Sequence, residues 1–457
     1  MAYALNKRGM KFVHVNVVTL RGHFGDVDVL LEETALDVFA VTESRLDCTI
    51  PDGQVCCSGY VCYRKDRNRN GGGCAVFVKS KWPSKRRKDL ESESLETVCV
   101  EICPDKARNS VFGVVYKPPI MNPENFLSSF KQDILEKLTD EANKDIIMMG
   151  DFNADVIASK SCKYTRSLMH ATRLHGLSQL VKEPTRVTEH TKTAIDLVFV
   201  NNLHRIVSHG VQEFAASDHS VVFAVKRAGV CKAHAEIREV RSFKRYNKEQ
   251  FRSEVAGVPW SVVESFDDLN DAVSAWNTLF VDVANRHAPI KKLRTKRAIK
   301  PWITKELKDV MAERDYAYKI AKRSGGKQEM WDNYRKLKNL TNRKMKAAEA
   351  LYYKKLIETA QGPKEMWRAL NSALGNEKVE NLTFQLQEGE RIISEPKAVA
   401  SKFNKFFATI GCRIAKKLFS YQRMPGRNTN LLSKLMMKIY ANFIASVLKL
   451  FLRFCTH

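Results

Sequence analysis

Eight short apolar runs, each closed by a turn signal, fill the first 226 residues and constrain the fold more than any other feature. They are "KFVHVNVV", "LDVFAVTES", "GGGCAVFVKS", "ETVCVEIC", "NSVFGVVYKPP", "DIIMMGDFN", "TAIDLVFVNN" and "SDHSVVFAVK". Their length and their Gly, Pro, Asn, Asp and Ser borders read as strands. Between them, "FLSSFKQDILEKLTDEAN" sets Phe126, Phe130, Ile134, Leu135 and Leu138 on one helical face, and "KYTRSLMHATRLHGL" is a second helix closed by Gly176. Strands with interspersed helices predict a layered sheet-and-helix domain.

Several of these runs are broken by polar residues. Asn16 interrupts the first, Glu43 and Tyr116 close two others, and Asp196 sits inside "AIDLVFV". Asp151 and Asn153 follow "IIMMG", and Ser217, Asp218 and His219 precede "SVVFAV". Taken singly, each has an ordinary explanation. "GDFN" is also a turn sequence, Asn16 and Glu43 also suit edges or turns, and His219 suits a helix cap or the surface. Taken together they need another reason, because a buried carboxylate without a partner is costly. Either the groups meet and satisfy one another, or they hold a cation.

Their types fit phosphodiester hydrolysis. Glu43 and Asn16 offer the oxygens that a hard Mg²⁺ ion prefers. Such an ion polarises a phosphoryl oxygen and stabilises a leaving alkoxide. His219 exchanges a proton near neutral pH, and Asp196 is suited to fix its tautomer. Asp151 is placed to orient or deprotonate the attacking water. Asn153 and Tyr116 are donors for phosphate oxygens as charge develops.

The chain has 457 residues and a net charge of +25, with a pI near 9.6, which points to an anionic partner such as nucleic acid. The start of the sequence shows no signal-peptide pattern. The 11 cysteines contain no C-x-x-C pair, so reduced thiols are expected. "IKKLRTKRAIKPW" reads as a basic linker, and Ile303 to Gln361 as charged helices broken by "SGGK". Trp331, Tyr334, Met345, Ala348, Tyr352 and Leu356 recur at helical spacing, which suits packing; base stacking is the alternative. The tail "LLSKLMMKIYANFIASVLKLFLRFC" has no uncharged run long enough to span a bilayer, so no stable membrane partner is expected.

The ordered set Asn16, Glu43 in "VTESRL", Tyr116 in "VVYKPP", "GDFN", Asp196 in "IDLVFV" and "SDH" resembles the endonuclease/exonuclease/phosphatase superfamily. Within it, "GGGCAVFVK", "VYKPP", "KEPTRVT" and "IDLVFVNN" resemble the endonuclease of non-LTR (LINE-type) retrotransposons. "KPWITKELKDVMAERDYAYKIAK", "WDNYRKLKN", "YYKKLIE", "KEMWRALNSALG" and "VASKFNKFFATIG" resemble the connector that precedes reverse transcriptase in such polyproteins. No aromatic-x-Asp-Asp polymerase pattern follows, and the resemblance fades near residue 418, so a truncated element is expected. "ESRLD" and "NVVTL" depart from the family pattern around Glu43 and Asn16, which touches substrate positioning more than chemistry.

The resemblance implies an α+β fold: a four-layer α/β/β/α sandwich, deoxyribonuclease-like, followed by a mostly helical basic region. The expected divisions are an endonuclease domain at 1–228, a linker with a helical segment at 229–300, a helical basic connector at 301–418 and a divergent tail at 419–457. The implied activity is Mg²⁺-dependent nicking of DNA that leaves a 3′-hydroxyl, with Mn²⁺ as an alternative ion. His219, Asp196, Asp151, Asn153 and Tyr116 are the implied catalytic set. Glu43, Asn16 and Asp218 are assigned to the metal, and Ser217, Asn153 and Tyr116 to substrate. DNA is the substrate, and the element's RNA is a further partner for the basic helices. The implied location is intracellular, nuclear for function, with the cytoplasm as the alternative. Two alternatives stay open: an inert nucleic-acid-binding remnant, and another hydrolase of the superfamily such as a repair nuclease or a phosphatase. A chain ending near Lys226 is expected to cut still, while holding DNA more weakly.

Overall fold

The computed structural model describes residues 7–409, apart from 35, 56, 58, 105–106, 159–161, 228–236, 295–299, 377–385, 389–390, 394–396 and 407–408. The apolar-basic tail therefore lies outside the described residues. The chain divides into two compact units, Met1–Leu382 and Thr383–His457.

In the first unit the strands run in order β1 (Met10–Asn16), β2 (Val38–Thr42), β3 (Tyr60–Lys65), β4 (Cys74–Lys79), β5 (Ser84–Arg86), β6 (Glu96–Ile102), β7 (Ser110–Tyr116), β8 (Asp145–Asp151), β9 (Ser178–Gln179), β10 (Arg186–Val187), β11 (Lys192–Thr193), β12 (Asp196–Val200), β13 (Ile206–Gln212) and β14 (Val221–Lys226). They build two six-stranded sheets, β13-β14-β1-β2-β4-β3 and β5-β6-β7-β8-β12-β9, plus a β10-β11 hairpin. Both sheets are mixed: β1 and β2 pair parallel, as do β7 and β8, and the other neighbours pair antiparallel. All eight apolar runs are strands. The sheet strands that alternation did not reveal, β3, β5, β9 and β13, are the four edges. Edge strands bury less and carry more polar residues, so their period is faint.

Alternation along each strand sorts side chains into layers. Met10, Phe12, Val38, Ala40, Phe112, Val114, Ile147, Met149 and Val198 fill the space between the sheets, where Phe12 and Phe112 stack at 5.5 Å. Val13, Val15 and Phe39 face outward under helix α1 (Phe24–Thr34). On the far side, Phe199 and Met148 pack under α2 (Pro123–Ser129), its continuation through Thr139, and α3 (Lys163–Leu174). The result is a four-layer α/β/β/α sandwich.

Beyond the sandwich lie a hairpin of β15 (Ile237–Arg241) and β16 (Ile290–Arg294), then helices α4 (Lys248–Ala256), α5 (Leu269–His287), α6 (Lys305–Arg323), α7 (Gln328–Glu358) and α8 (Pro363–Leu374). The "IKKLR" part of the expected basic linker is thus a paired strand. Its β-branched and long side chains are compatible with a two-stranded ribbon, which charge-rich composition concealed. Thr304 caps α6 by accepting the Leu307 amide. "SGGK" turns α6 into α7 with Gly325 and Gly326 at φ +70° and +94°, a region that favours glycine.

The α6–α7 hairpin lies against the sandwich. Arg314 reaches Asp26 on α1 at 2.6 Å, with both side chains buried. Met345 and Trp302 pack where Gly25 has no side chain; a Cβ there would meet Met345 Sδ at 2.5 Å. Trp302, Trp331, Tyr334 and Met345 are buried in two small apolar clusters, which leaves their side chains unavailable to bases. In the second unit, β17 (Leu386–Glu388) and β18 (Arg391–Ile393) form a hairpin. No helix among the described residues is long and apolar enough to cross a membrane.

Candidate active site

The polar residues that break the strands lie at one end of the two sheets. In the second sheet, Tyr116 of β7, Asp151 of β8 and Asp196 of β12 stand side by side in register. In the first, Asn16 ends β1 opposite Thr42 of β2, and Glu43 follows directly. His219 precedes β14 and bridges to Arg186 on β10. Each strand spends its apolar residues on the core and places a terminal inward position at this end, the last residue of β1, β7 and β8 and the first of β12.

The hydrogen bonds tie the two sheets together. Asn16 Nδ2 donates to Glu43 Oε1 at 3.0 Å and to Asp151 Oδ2 at 2.9 Å. Tyr116 donates its hydroxyl to the same Glu43 oxygen at 3.0 Å. Asp151 Oδ1 accepts the Asn153 amide, and Asn153 Nδ2 donates to the Lys117 carbonyl. His219 Nδ1 lies 2.9 Å from Asp196 Oδ2, which also accepts the Thr185 hydroxyl at 2.7 Å. Ser217 plays a framing part: its hydroxyl donates to the Asn16 carbonyl and accepts the His219 amide. Asp218 bonds none of these side chains and places its carboxylate on Arg186 Nε at 2.8 Å.

The electrostatics divide the acids. Burial, reinforced by Asp196, pushes the Asp151 carboxyl up to about 7. Asp196 is held below the usual carboxylate range; burial opposes this, but the facing His219 and His14 and the Thr185 hydrogen bond outweigh it. Burial also pulls His219 down, yet Asp196, Asp151 and Asp218 together raise it to about 9. At neutral pH the site therefore holds an imidazolium locked to Asp196 beside a carboxyl near its midpoint. Burial also raises the Tyr116 hydroxyl, with Glu43 adding to the effect, so it stays a donor.

Asp151, Asp196 and His219 offer ligand atoms within 4.8 Å of one another. Two of that trio are already committed to each other: His219 carries the positive charge that Asp196 balances. Glu43 is the better place for a hard cation. Its second oxygen meets Arg45 at 3.3 Å, and its side chain is partly open to solvent. The oxygen donors of Glu43 and Asp151, held by one amide, suit Mg²⁺. Asn16 as placed turns its nitrogen toward both carboxylates, while its oxygen accepts the Val18 amide at 2.9 Å.

Two residues of the site escaped the sequence reading. His14 shares the inward face with Asn16, two positions earlier. It is buried, its Nε2 is 3.0 Å from Thr42 Oγ1, and its Nδ1 is 3.9 Å from Asp196 Oδ1. Period-two alternation from Asn16 was the signal that marks it. Thr185 lies just before β10, and only the fold brings it to Asp196. Backbone conformation marks the same place. The four described non-glycine residues with positive φ, Val18, Glu43, Arg45 and Asn153, all lie here, and such outliers cluster at functional sites.

Residues 15–219 match the model of the Endonuclease/Exonuclease/phosphatase family. The two mixed sheets with flanking helices have that family's deoxyribonuclease-like architecture. Similar solved structures include the endonuclease domain of TRAS1, a telomere-specific non-LTR retrotransposon, at 17% identity, covering 48% of this chain and 99% of that one with a TM-score of 0.41. The AP endonuclease LMAP from Leishmania major is 15% identical over 49% of this chain and 89% of its own, with a TM-score of 0.42. The 3′-5′ exonuclease NExo from Neisseria meningitidis is 15% identical over 48% and 100%, with a TM-score of 0.39. No curated protein matches the chain.

Proposed function

We propose that this chain is a divalent-metal-dependent nuclease that nicks DNA and leaves a 3′-hydroxyl, in the manner of a LINE-type retrotransposon endonuclease. The observation that carries the reading is the juxtaposition of the Asp196–His219 pair with Asp151 and with the Asn16–Glu43–Tyr116 group at one end of the sheets. Glu43, with Asn16 and Asp151 beside it, would hold the ion, which when bound polarises the phosphate and stabilises the leaving oxygen.

The chain's own residues supply the rest. Asp151, whose carboxyl burial and Asp196 push up in the metal-free chain, would take a proton from the attacking water. His219 keeps Nδ1 on Asp196 and leaves Nε2 to face a phosphate oxygen as a charged donor. Tyr116 and Asn153 line the same end, where donors meet the charge that develops on phosphorus-bound oxygens. Ser217 orders the His219 segment, and Asp218 anchors Arg186 rather than reaching the proposed ion.

Nicking of supercoiled plasmid with Mg²⁺, and its loss in excess chelator, is the direct test. Glu43→Gln should lower the rate and raise the Mg²⁺ concentration needed together. Cleavage that persists in chelator would overturn the metal assignment. We assign nucleic-acid binding by the basic helices to phosphate contacts, since Trp302, Tyr318, Trp331 and Tyr334 are buried while Arg343, Lys344 and Lys346 are exposed. Replacing those three by Ala should flatten the salt dependence of duplex binding by roughly 0.9 for each phosphate no longer neutralised. An unchanged slope would reduce that face to a solvated surface.

A further inference from the structure

The segment that carries Ser217, Asp218 and His219 is bordered by structure from outside the sandwich. Tyr334 of α7 donates its hydroxyl to the Ala215 carbonyl at 2.8 Å, two residues before Ser217. Tyr318 of α6 and Trp331 of α7 pack around the same Ala215 and around Val187, the neighbour of Arg186. The three rings interlock, with Tyr318 5.0 Å from Tyr334 and Trp331 6.0 Å from it. Lys322 reaches Glu213 at 3.4 Å, and Arg335 binds Glu189 at the tip of the β10-β11 hairpin. Neither Tyr318 Oη nor Trp331 Nε1 has a hydrogen-bond partner. Tyr334 is therefore the member of this aromatic cluster that both packs on the segment and fixes its backbone.

We propose that the α6–α7 hairpin is a working part of the active site and that Tyr334 is a positioning residue. It holds the 213–219 segment and β10 so that His219 meets Asp196. The reason lies in the strand register. Asp196, Asp151 and Tyr116 are set by the ladder of the second sheet, but His219 stands outside β14 on an irregular stretch. The ladder does not fix such a residue, and a small displacement of a reacting group costs rate steeply. On this view the sandwich alone lacks one wall of its site. A chain ending near Lys226 loses more than DNA affinity: it bares Val187 and Ala215 and leaves the histidine segment to its contacts with Asn16 and β10.

The inference rests on the proposed nuclease activity for its kinetic readout, so the experiment carries a second readout that does not. In the full-length chain, Tyr334→Phe removes one hydroxyl and keeps the ring. We expect kcat for nicking to fall about tenfold with KM unchanged. The proton NMR signal of the His219 Nδ1–H shared with Asp196 should broaden through faster exchange with water. Lys308→Ala, which breaks the pair with Glu32 at the opposite end of α6, should change neither. Wild-type kcat and a wild-type His219 signal in Tyr334→Phe would overturn the proposal. If the parent chain does not nick DNA, the nuclease reading fails, and the His219 signal alone still decides whether the hairpin holds the histidine. Should Tyr334→Phe unfold, Lys322→Ala, which loosens Glu213 without touching the cluster, takes its place. The same two readouts then decide: a fall in kcat with a broadened His219 signal supports the proposal, and wild-type values of both overturn it.

Discussion

At one end of the sheets Lys226 lies 2.7 Å from Asp145, which also takes Arg205 at 2.9 Å, while Ser110 accepts from the same lysine. At the other end Asp151, Asp196, Asp218 and Glu43 gather around His219, Arg45 and Arg186. Both ends bury charge between the same strands, β7, β8 and β14. The first gives one carboxylate two cations, and Asp145 offsets the burial that pulls the Lys226 ammonium down. The second crowds carboxylates until one of them, Asp151, resists ionising. Buried charge by itself is thus no sign of catalysis. The sign is a surplus of one charge that only protons, a metal or a substrate can balance.

The largest effect that would break this contrast is kinetic. His219→Ala should lower nicking by about a hundredfold to ten-thousandfold. Above about pH 9, where the raised imidazole has lost its proton and its contribution to stability, the thermal unfolding midpoint should lie close to that of the parent. A variant that keeps wild-type cleavage removes the histidine from the mechanism, and one that melts much earlier makes this end structural too.

The opposite end should answer in the opposite currency. Asp145→Ala strands Lys226 and Arg205 without their carboxylate and should cost about 3–5 kcal/mol of stability, the usual penalty for breaking a buried pair. The remaining folded molecules should cut at the parental rate. Denaturant unfolding measures the first and activity per folded molecule the second. A stability loss below about 1 kcal/mol would place Asp145 among ordinary surface pairs.

A smaller and graded effect is expected from pH in the absence of divalent ions. His219 has its pKa raised from 6.5 to about 9 in the folded chain. Its contribution to stability is therefore fully present below the unfolded value and is lost as pH rises through about 9. Stability measured in chelator should decline from pH 7 to 10, and His219→Ala should flatten that decline. An equally steep decline in the variant would assign it to another group.

Much of this was legible in the chain itself. Central strands announced themselves because both their faces are buried, and Asp196 stood out between apolar neighbours on either side. The far-end pair was less visible: Asp145 and Lys226 sit at strand ends, where a charge looks solvated, and nothing local says that they meet across 81 residues of sequence. His14 could have been found by counting back two from Asn16. Thr185 could not, since its partner is set by how a loop closes over β12. The seat of α6 and α7 was equally hidden. The apolar stripe of a helix states that something is covered, without stating what, and here the partners are a glycine on α1 and an alanine in the segment that leads to His219.

Val18 holds φ at +61°, and Glu43, Arg45 and Asn153 lie between +47° and +52°. Asparagine tolerates this region, whereas a β-branched valine is a real outlier there. Each such residue costs of order 1–3 kcal/mol, which for several of them is comparable with the whole margin of about 5–15 kcal/mol that keeps a domain folded. Glycine or asparagine at these positions would relieve that strain, so the end of the sheets that gathers the buried acids is also the end where the backbone holds its conformational cost.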